Sequence, residues 1–165
     1  MNIKRIVKHL LMTRQQLRRA FPRNSLKVIE QAIQASETTH VGEIRFVVEG
    51  ALDGWPLFQG QSARERAIDL FSQLRVWDTQ DNSGLLIYLL LADRAVEIVA
   101  DRGIHAKVST HEWTKICQQM QTAFSQSNFA AGALAGVQAV TEHLVTHFPA
   151  DGRNPNELPN QPVLL

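Results

Sequence analysis

The sequence predicts an α/β domain, an α/β/α sandwich with a small mixed sheet (a β-α-β crossover plus a hairpin) and helices on both faces. Three observations carry this expectation. Residues 42–48 alternate apolar and polar side chains before turning β-branched, which is strand patterning. Residues 85–91 and 96–100 are apolar runs joined by Ala92-Asp93-Arg94-Ala95, too short for a crossover helix, so they pair antiparallel. Between the first strand and this hairpin, Ala67, Leu70, Phe71 and Leu74 recur at helical spacing. A strand, a helix and a strand in that order cross over right-handedly and lay the two strands parallel.

The elements follow in order. Residues 3–21 read as one amphipathic helix with Ile3, Ile6, Val7, Leu10, Leu17 and Phe21 on an inward face and Lys4, Arg5, Lys8, Arg18 and Arg19 beside it. Pro22 ends it, and Asn24 or Ser25 can cap a second helix reaching about Ser36, with Leu26, Ile29 and Ile33 inward. Residues 50–60 hold three glycines, Pro56 and Trp55, and read as a loop. Ser62-Ala63-Arg64-Glu65 is a capping box opening the crossover helix, and 78–84 is polar turn sequence. Ser109-Thr110-His111-Glu112 is a second capping box, opening a helix whose stripe is Trp113, Ile116, Cys117, Met120 and Phe124. A last helix runs from about Phe129 to His147, where Gly132 and Gly136 permit close packing. Residues 149–165 hold four prolines and three asparagines, a composition that predicts neither helix nor strand. Their end, Val163-Leu164-Leu165, is apolar and expected to dock in a groove. The organisation is thus a basic helix over 1–23, a body over 24–148 and an extended Pro/Asn-rich tail over 149–165.

Composition bounds the function. At 165 residues and 44% hydrophobic the chain makes one domain with a core. No apolar run approaches the roughly 18 residues of a membrane span. Lys8, His9 and Arg14 interrupt any signal-peptide core, and the single cysteine, Cys117, excludes an internal disulfide framework. A cytoplasmic chain, peripheral to a membrane at most, is expected. Residues 1–27 carry eight basic and no acidic side chains, leaving nine basic against sixteen acidic in the rest. A basic arm on an acidic body docks on that body or meets an anionic partner. An anionic membrane surface is one such partner, weakened by Arg14 interrupting the apolar stripe. Nucleic acid is the poorest, because no aromatics interleave with the basic residues.

Gly42-Glu43-Ile44, Asp81-Asn82-Ser83-Gly84, Asp93-Arg94 and Gly103-Ile104, in that order, resemble the TPM domain family over roughly residues 25–147. The family takes its name from thylakoid-lumen, photosystem and acetylcholine-receptor-modulating members. The resemblance implies an α/β/α sandwich, and either weak phosphatase activity with divalent-cation binding or an assembly or modulatory role. The chain departs from the family's Gly-Tyr-Gly-Leu-Glu-like turn, having Asp101-Arg102-Gly103-Ile104-His105 instead, so the turn's acidic residue is displaced.

Two clusters could carry chemistry. With the hairpin turn centred on Asp93 and Arg94, Leu86 falls opposite Asp101 and Asn82 near His105, and the parallel crossover brings Glu43 to the same end. Glu43, Asp78, Asp81, Asn82, Asp101 and His105 would then gather at one sheet edge, a hard-oxygen set suited to Ca²⁺ or Mg²⁺. The plainer reading is a group of solvated turn residues. The carboxyl end of the parallel strands holds Glu49, Asp53 and Asp93, with the 49–61 loop as a lid or with Trp55 pinning that loop to the core. His143 and His147, at i and i+4, lack the glutamate of a zinc helix, and Cys117 falls in an apolar stripe. The leading expectation is a protein-binding or assembly and modulatory factor. The rival is a weak divalent-metal-dependent phosphatase using the acidic edge, and a third reading has arm and tail clamping another subunit.

Overall fold

The computed structural model describes residues 3–152 and 155–165. Where the spacing predicted one N-terminal helix there are two, α1 (Ile3–Leu11) and α2 (Arg14–Ala20). Thr13 is the reason. Its hydroxyl accepts from the Gln16 amide while the Gln16 side chain accepts from the Thr13 amide, and this capping box starts a new helix. Helix α3 (Arg23–Ser36) begins directly after Pro22, so Asn24 and Ser25 lie inside it and neither caps it. Its Ile29 and Ile33 are fully buried, as their spacing requires.

Strand β1 (Glu43–Glu49) leads into the 50–60 segment, which is not all loop but carries a short helix, α4 (Gly54–Phe58). The Ser62–Glu65 capping box forms and opens α5 (Ala63–Gln73). The hairpin β2 (Gly84–Leu90) and β3 (Ala95–Ala100) comes next, then an unforeseen turn of helix, α6 (Arg102–His105). Helices α7 (Thr110–Ser125) and α8 (Phe129–His147) follow. The whole predicted stripe of α7 is buried, but Ser109 makes no side-chain cap, so the second capping box does not form. The last element is a strand, β4 (Val163–Leu164), in a tail whose prolines predicted none.

The sheet order is β3-β2-β1-β4. β1 lies parallel to β2 from Glu43 opposite Gly84 to Glu49 opposite Leu90, the expected crossover. β4 lies parallel to β1 on its other side, with Val47 opposite Val163. The hairpin register differs from the expected one by two residues: Leu86 faces Val99, not Asp101. The turn is centred earlier and spends four residues, closing through Arg94 at φ 54°, and so Asn82 pairs with Gly103 rather than His105.

Alternation along the strands splits the core into two layers. Ile44, Phe46, Leu85, Ile87 and Ile98 face α3, α7 and α8. Val47, Leu86, Tyr88, Leu90 and Val99 face α5, Leu52 and Leu57. Helices α7 and α8 touch so closely that a Cβ at Gly136 would come within 2.3 Å of the Met120 sulfur. The result is an α/β/α sandwich. Among the described residues no helix is long and apolar enough to cross a membrane.

Candidate functional site

At the amino end of the parallel strands the expected acidic edge is not assembled. Glu43 is fully buried, and its carboxylate accepts from the amides of Glu157 (3.2 Å) and Leu158 (3.0 Å). Asp78 is exposed and pairs with Arg75 at 2.6 Å. Asn82, at φ 51°, accepts from Arg102 at 3.0 Å, while Asp101 caps α6 through the Arg102 amide. Asp81 and His105 are exposed. Among the described residues no group of three or more His, Cys, Asp or Glu is placed to hold a metal ion. A cation such as Ca²⁺ or Mg²⁺ needs several convergent oxygens. Here one carboxylate already receives two tail amides and two other side chains are bound to arginines, so the donor set as placed does not fit one.

What this end does hold is a buried polar cluster absent from the sequence reading. Arg45, on the same face of β1 as Glu43, donates to the carbonyls of Pro159 and Gln161. Glu37, at the end of α3, accepts from the Ile44 amide at 3.0 Å. Burial pushes its carboxyl up to about 8, opposed by that amide and reinforced by the charge of Glu43. Burial raises Glu43 too, against its two tail amides. These side chains fasten the tail to β1.

A stability prediction follows from Glu37. Folding raises its pKa from an ordinary 4.5 to about 8. A raised acid favours the native state fully below its unfolded pKa, and that contribution is lost as pH climbs through the folded value. Stability against urea is therefore expected to fall from about pH 4.5 to pH 8, with a slope of at most about 1.4 kcal/mol per pH unit from this group. Glu37→Gln should flatten that interval; an unchanged slope would assign it to other groups.

The carboxyl end of the parallel strands is also built from side chains of distant elements. Glu49 forms a two-point ion pair with Arg66 of α5 (2.8 and 2.9 Å) and accepts from the buried Tyr88 hydroxyl at 2.6 Å. Burial, with the Glu49 charge, drives the Tyr88 phenol far upward, so it stays a donor. Asp93 of the hairpin turn is held by α1. Arg5 donates to it at 2.8 Å, and His9 Nε2 lies 3.0 Å from it. His9 Nδ1 accepts from the Leu52 amide at 2.9 Å, which fixes the ring as the Nε2–H tautomer. Burial disfavours the Asp93 carboxylate, but the Arg5 and His9 bonds outweigh it and its pKa falls. Of the three acids expected here, Glu49 and Asp93 are engaged and Asp53 is exposed. Arg5, His9, Arg66 and Tyr88 were missed, since a histidine in an amphipathic helix and a tyrosine in an apolar run carry no motif.

Helix α1 is mounted inside out relative to the expected arrangement. Its buried residue is His9, with Arg5 and Ile6 half-buried, while Ile3, Leu10 and Leu11 are 68–69% exposed. Trp55 does not pin its loop; it is 71% exposed, and Leu52 and Leu57 do the anchoring. Phe58 is also exposed, and its helix α4 touches α1. Elsewhere His143 rests edge-on against Trp113, and burial pushes the Cys117 thiol up to about 12, leaving it inert.

The TPM domain model matches residues 17–143. The chain is similar to the solved BA42 protein of the psychrophilic bacterium Bizionia argentinensis, with 30% identity, a TM-score of 0.75, and coverage of 86% of this chain and 93% of that one. It also shares its fold with the N-terminal domain of a protein from P. gingivalis, at 22% identity and a TM-score of 0.63, covering 78% of this chain and 80% of that domain. A search of curated proteins finds no match.

Proposed function

This chain belongs to the TPM domain family, and on that premise we propose that it is a binding and modulatory factor which docks on an anionic membrane surface through α1 and α4. One observation carries the reading: α1 is fastened to the body by its polar side and turns its apolar side to solvent. At 100° per residue, Arg5, His9 and Ile6 form the arc that meets the body, and Leu10, Ile3, Val7 and Leu11 form the next. Lys4 and Lys8 complete the circle, both exposed. An apolar stripe bordered by lysines, beside an exposed Trp55 and Phe58, suits the boundary between lipid headgroups and acyl chains. Helix α1 precedes residue 17, where the family match begins, whereas α4 lies within the matched span. The family's phosphatase reading lacks a comparable support, because Glu43 and Asp78, two of the carboxylates it would use, are engaged elsewhere.

Co-sedimentation with vesicles tests the proposal. The protein is expected to pellet with phosphatidylserine-rich vesicles at low salt and to be released as salt shortens the screening length to about 10 Å near 0.1 M. Leu10→Ser with Leu11→Ser should weaken binding at least tenfold, since each leucine withdrawn from water is worth about 1.5–3 kcal/mol. Indifference to lipid charge and salt sinks the membrane part, leaving a protein as the occupant of that face. Hydrolysis of a phosphomonoester that stops on chelation would sink the binding-factor reading itself.

A further inference from the structure

A second surface, on the opposite side of the sheet from α5, carries chemistry unrelated to α1. Between α2, the β2–β3 turn and the α7–α8 junction lies a cavity of about 430 Å³. Its apolar wall comes from Leu89, Phe124, Phe129 and Ala20, side chains of the larger core layer. The size is at the lower end of the range for small-molecule sites. Two arginines, Arg19 of α2 and Arg94 of the hairpin turn, also line it. Both are exposed, and among the described residues neither is paired with a carboxylate. Among the described residues no Asp or Glu lines the cavity, although the body as a whole is acidic.

The backbone gives an independent sign. Among the described residues four non-glycine residues have positive φ, and two of them, Arg94 at φ 54° and Ser127 at φ 63°, line this cavity. Each sits where glycine or asparagine is the usual choice: Arg94 closes the hairpin turn and Ser127 follows the end of α7. A left-handed conformation at a residue with a side chain is strained, and such positions gather at ligand sites. Here the strain sets a guanidinium and a hydroxyl-bearing residue on one rim.

We infer that this cavity binds a small amphiphilic anion, an alkyl chain ending in a carboxylate, with Arg19 and Arg94 taking the carboxylate and the apolar wall taking the chain. Guanidinium forks match a carboxylate at two points, and the missing acids leave the two positive charges without internal compensation. The binding does not depend on the membrane reading, which uses α1, α4 and Trp55.

Decanoate below its micellar range is the probe, followed through backbone amide shifts. Saturable shifts are expected at Leu91, Arg94, Ala95, Ser125 and Ser127, with decanol, the neutral analogue, binding at least tenfold more weakly. Arg19→Gln and Arg94→Gln should each weaken decanoate about tenfold and leave decanol unchanged. Ala20→Phe, which fills the cavity and touches neither charge, should abolish both. Equal affinity for decanoate and decanol overturns the role of the arginines. Shifts outside the lining, or no saturation, overturn the site; neither result bears on vesicle binding, so the two proposals fail separately.

Discussion

A chain shortened to end at Asp151 is expected to lose about 3–5 kcal/mol of stability, the range for stranding a buried charged group. The lost segment supplies both amides that satisfy Glu43 and the two carbonyls that receive Arg45. It also supplies Leu158, 7% exposed, and the backbone bonds of Leu165 to Val48 and Gly50. Truncation removes the partners of Glu43 and Arg45 and the cover over them together, and leaves β1 as an open sheet edge. Urea unfolding of the shortened chain measures the loss. Leu158→Ala, which keeps every polar contact, should account for about 2 kcal/mol of it. An unchanged midpoint after truncation would mean that the tail only rests on the sheet.

Gly84→Ala should be as damaging through a single atom. A Cβ on Gly84 would lie 1.8 Å from the Val76 carbonyl oxygen and 2.9 Å from its carbon, both backbone atoms of the turn after α5. No rotamer relieves that contact, so the start of β2 or the 76–83 turn must move, at a cost of about 3 kcal/mol or more. Gly54→Ala is the informative contrast. Gly54 has φ 55° but nothing within 4 Å of the added carbon, so only the left-handed penalty of about 1 kcal/mol applies. Thermal melts of the two variants should differ accordingly. Equal effects would show that the turn yields readily.

The elements whose evidence is local were legible in the sequence. The α7 stripe and the bounds of α8 follow from helical period alone, and the parallel crossover follows from connection length. What failed depends on partners far along the chain. Residues 42–48 alternate apolar and polar side chains, the pattern of a half-buried strand, yet the whole of β1 is buried, with Glu43, Arg45 and Glu49 among its buried residues. Their partners are residues 157–161, together with Arg66 and Tyr88, and no local pattern announces them. The apolar stripe of α1 was found correctly and faced the wrong way, because periodicity gives a direction only relative to the helix. The Arg5, His9 and Asp93 bonds chose which side meets the body. The acidic cluster rested on a hairpin register that the four-residue turn shifts by two positions, moving Leu86 from Asp101 to Val99. The tail strand escaped notice because four prolines outweighed three apolar residues that needed only a strand edge to pair with.

That strand edge has a history in time. β1, α5 and β2 are neighbours in sequence as well as in space, and the Glu49–Arg66–Tyr88 bonds can form as soon as those segments exist. The other border of β1 waits for Val163 and Leu164, more than a hundred residues later. Closing so long a loop brings little gain until the rest has packed, so this pairing is expected to form late in folding. In the interval a seven-residue strand presents an open ladder of amides and carbonyls to any other chain with an extended segment. Residues 155–165 thus act as the molecule's own edge guard, and a growing population of incomplete chains would be the population that sticks together.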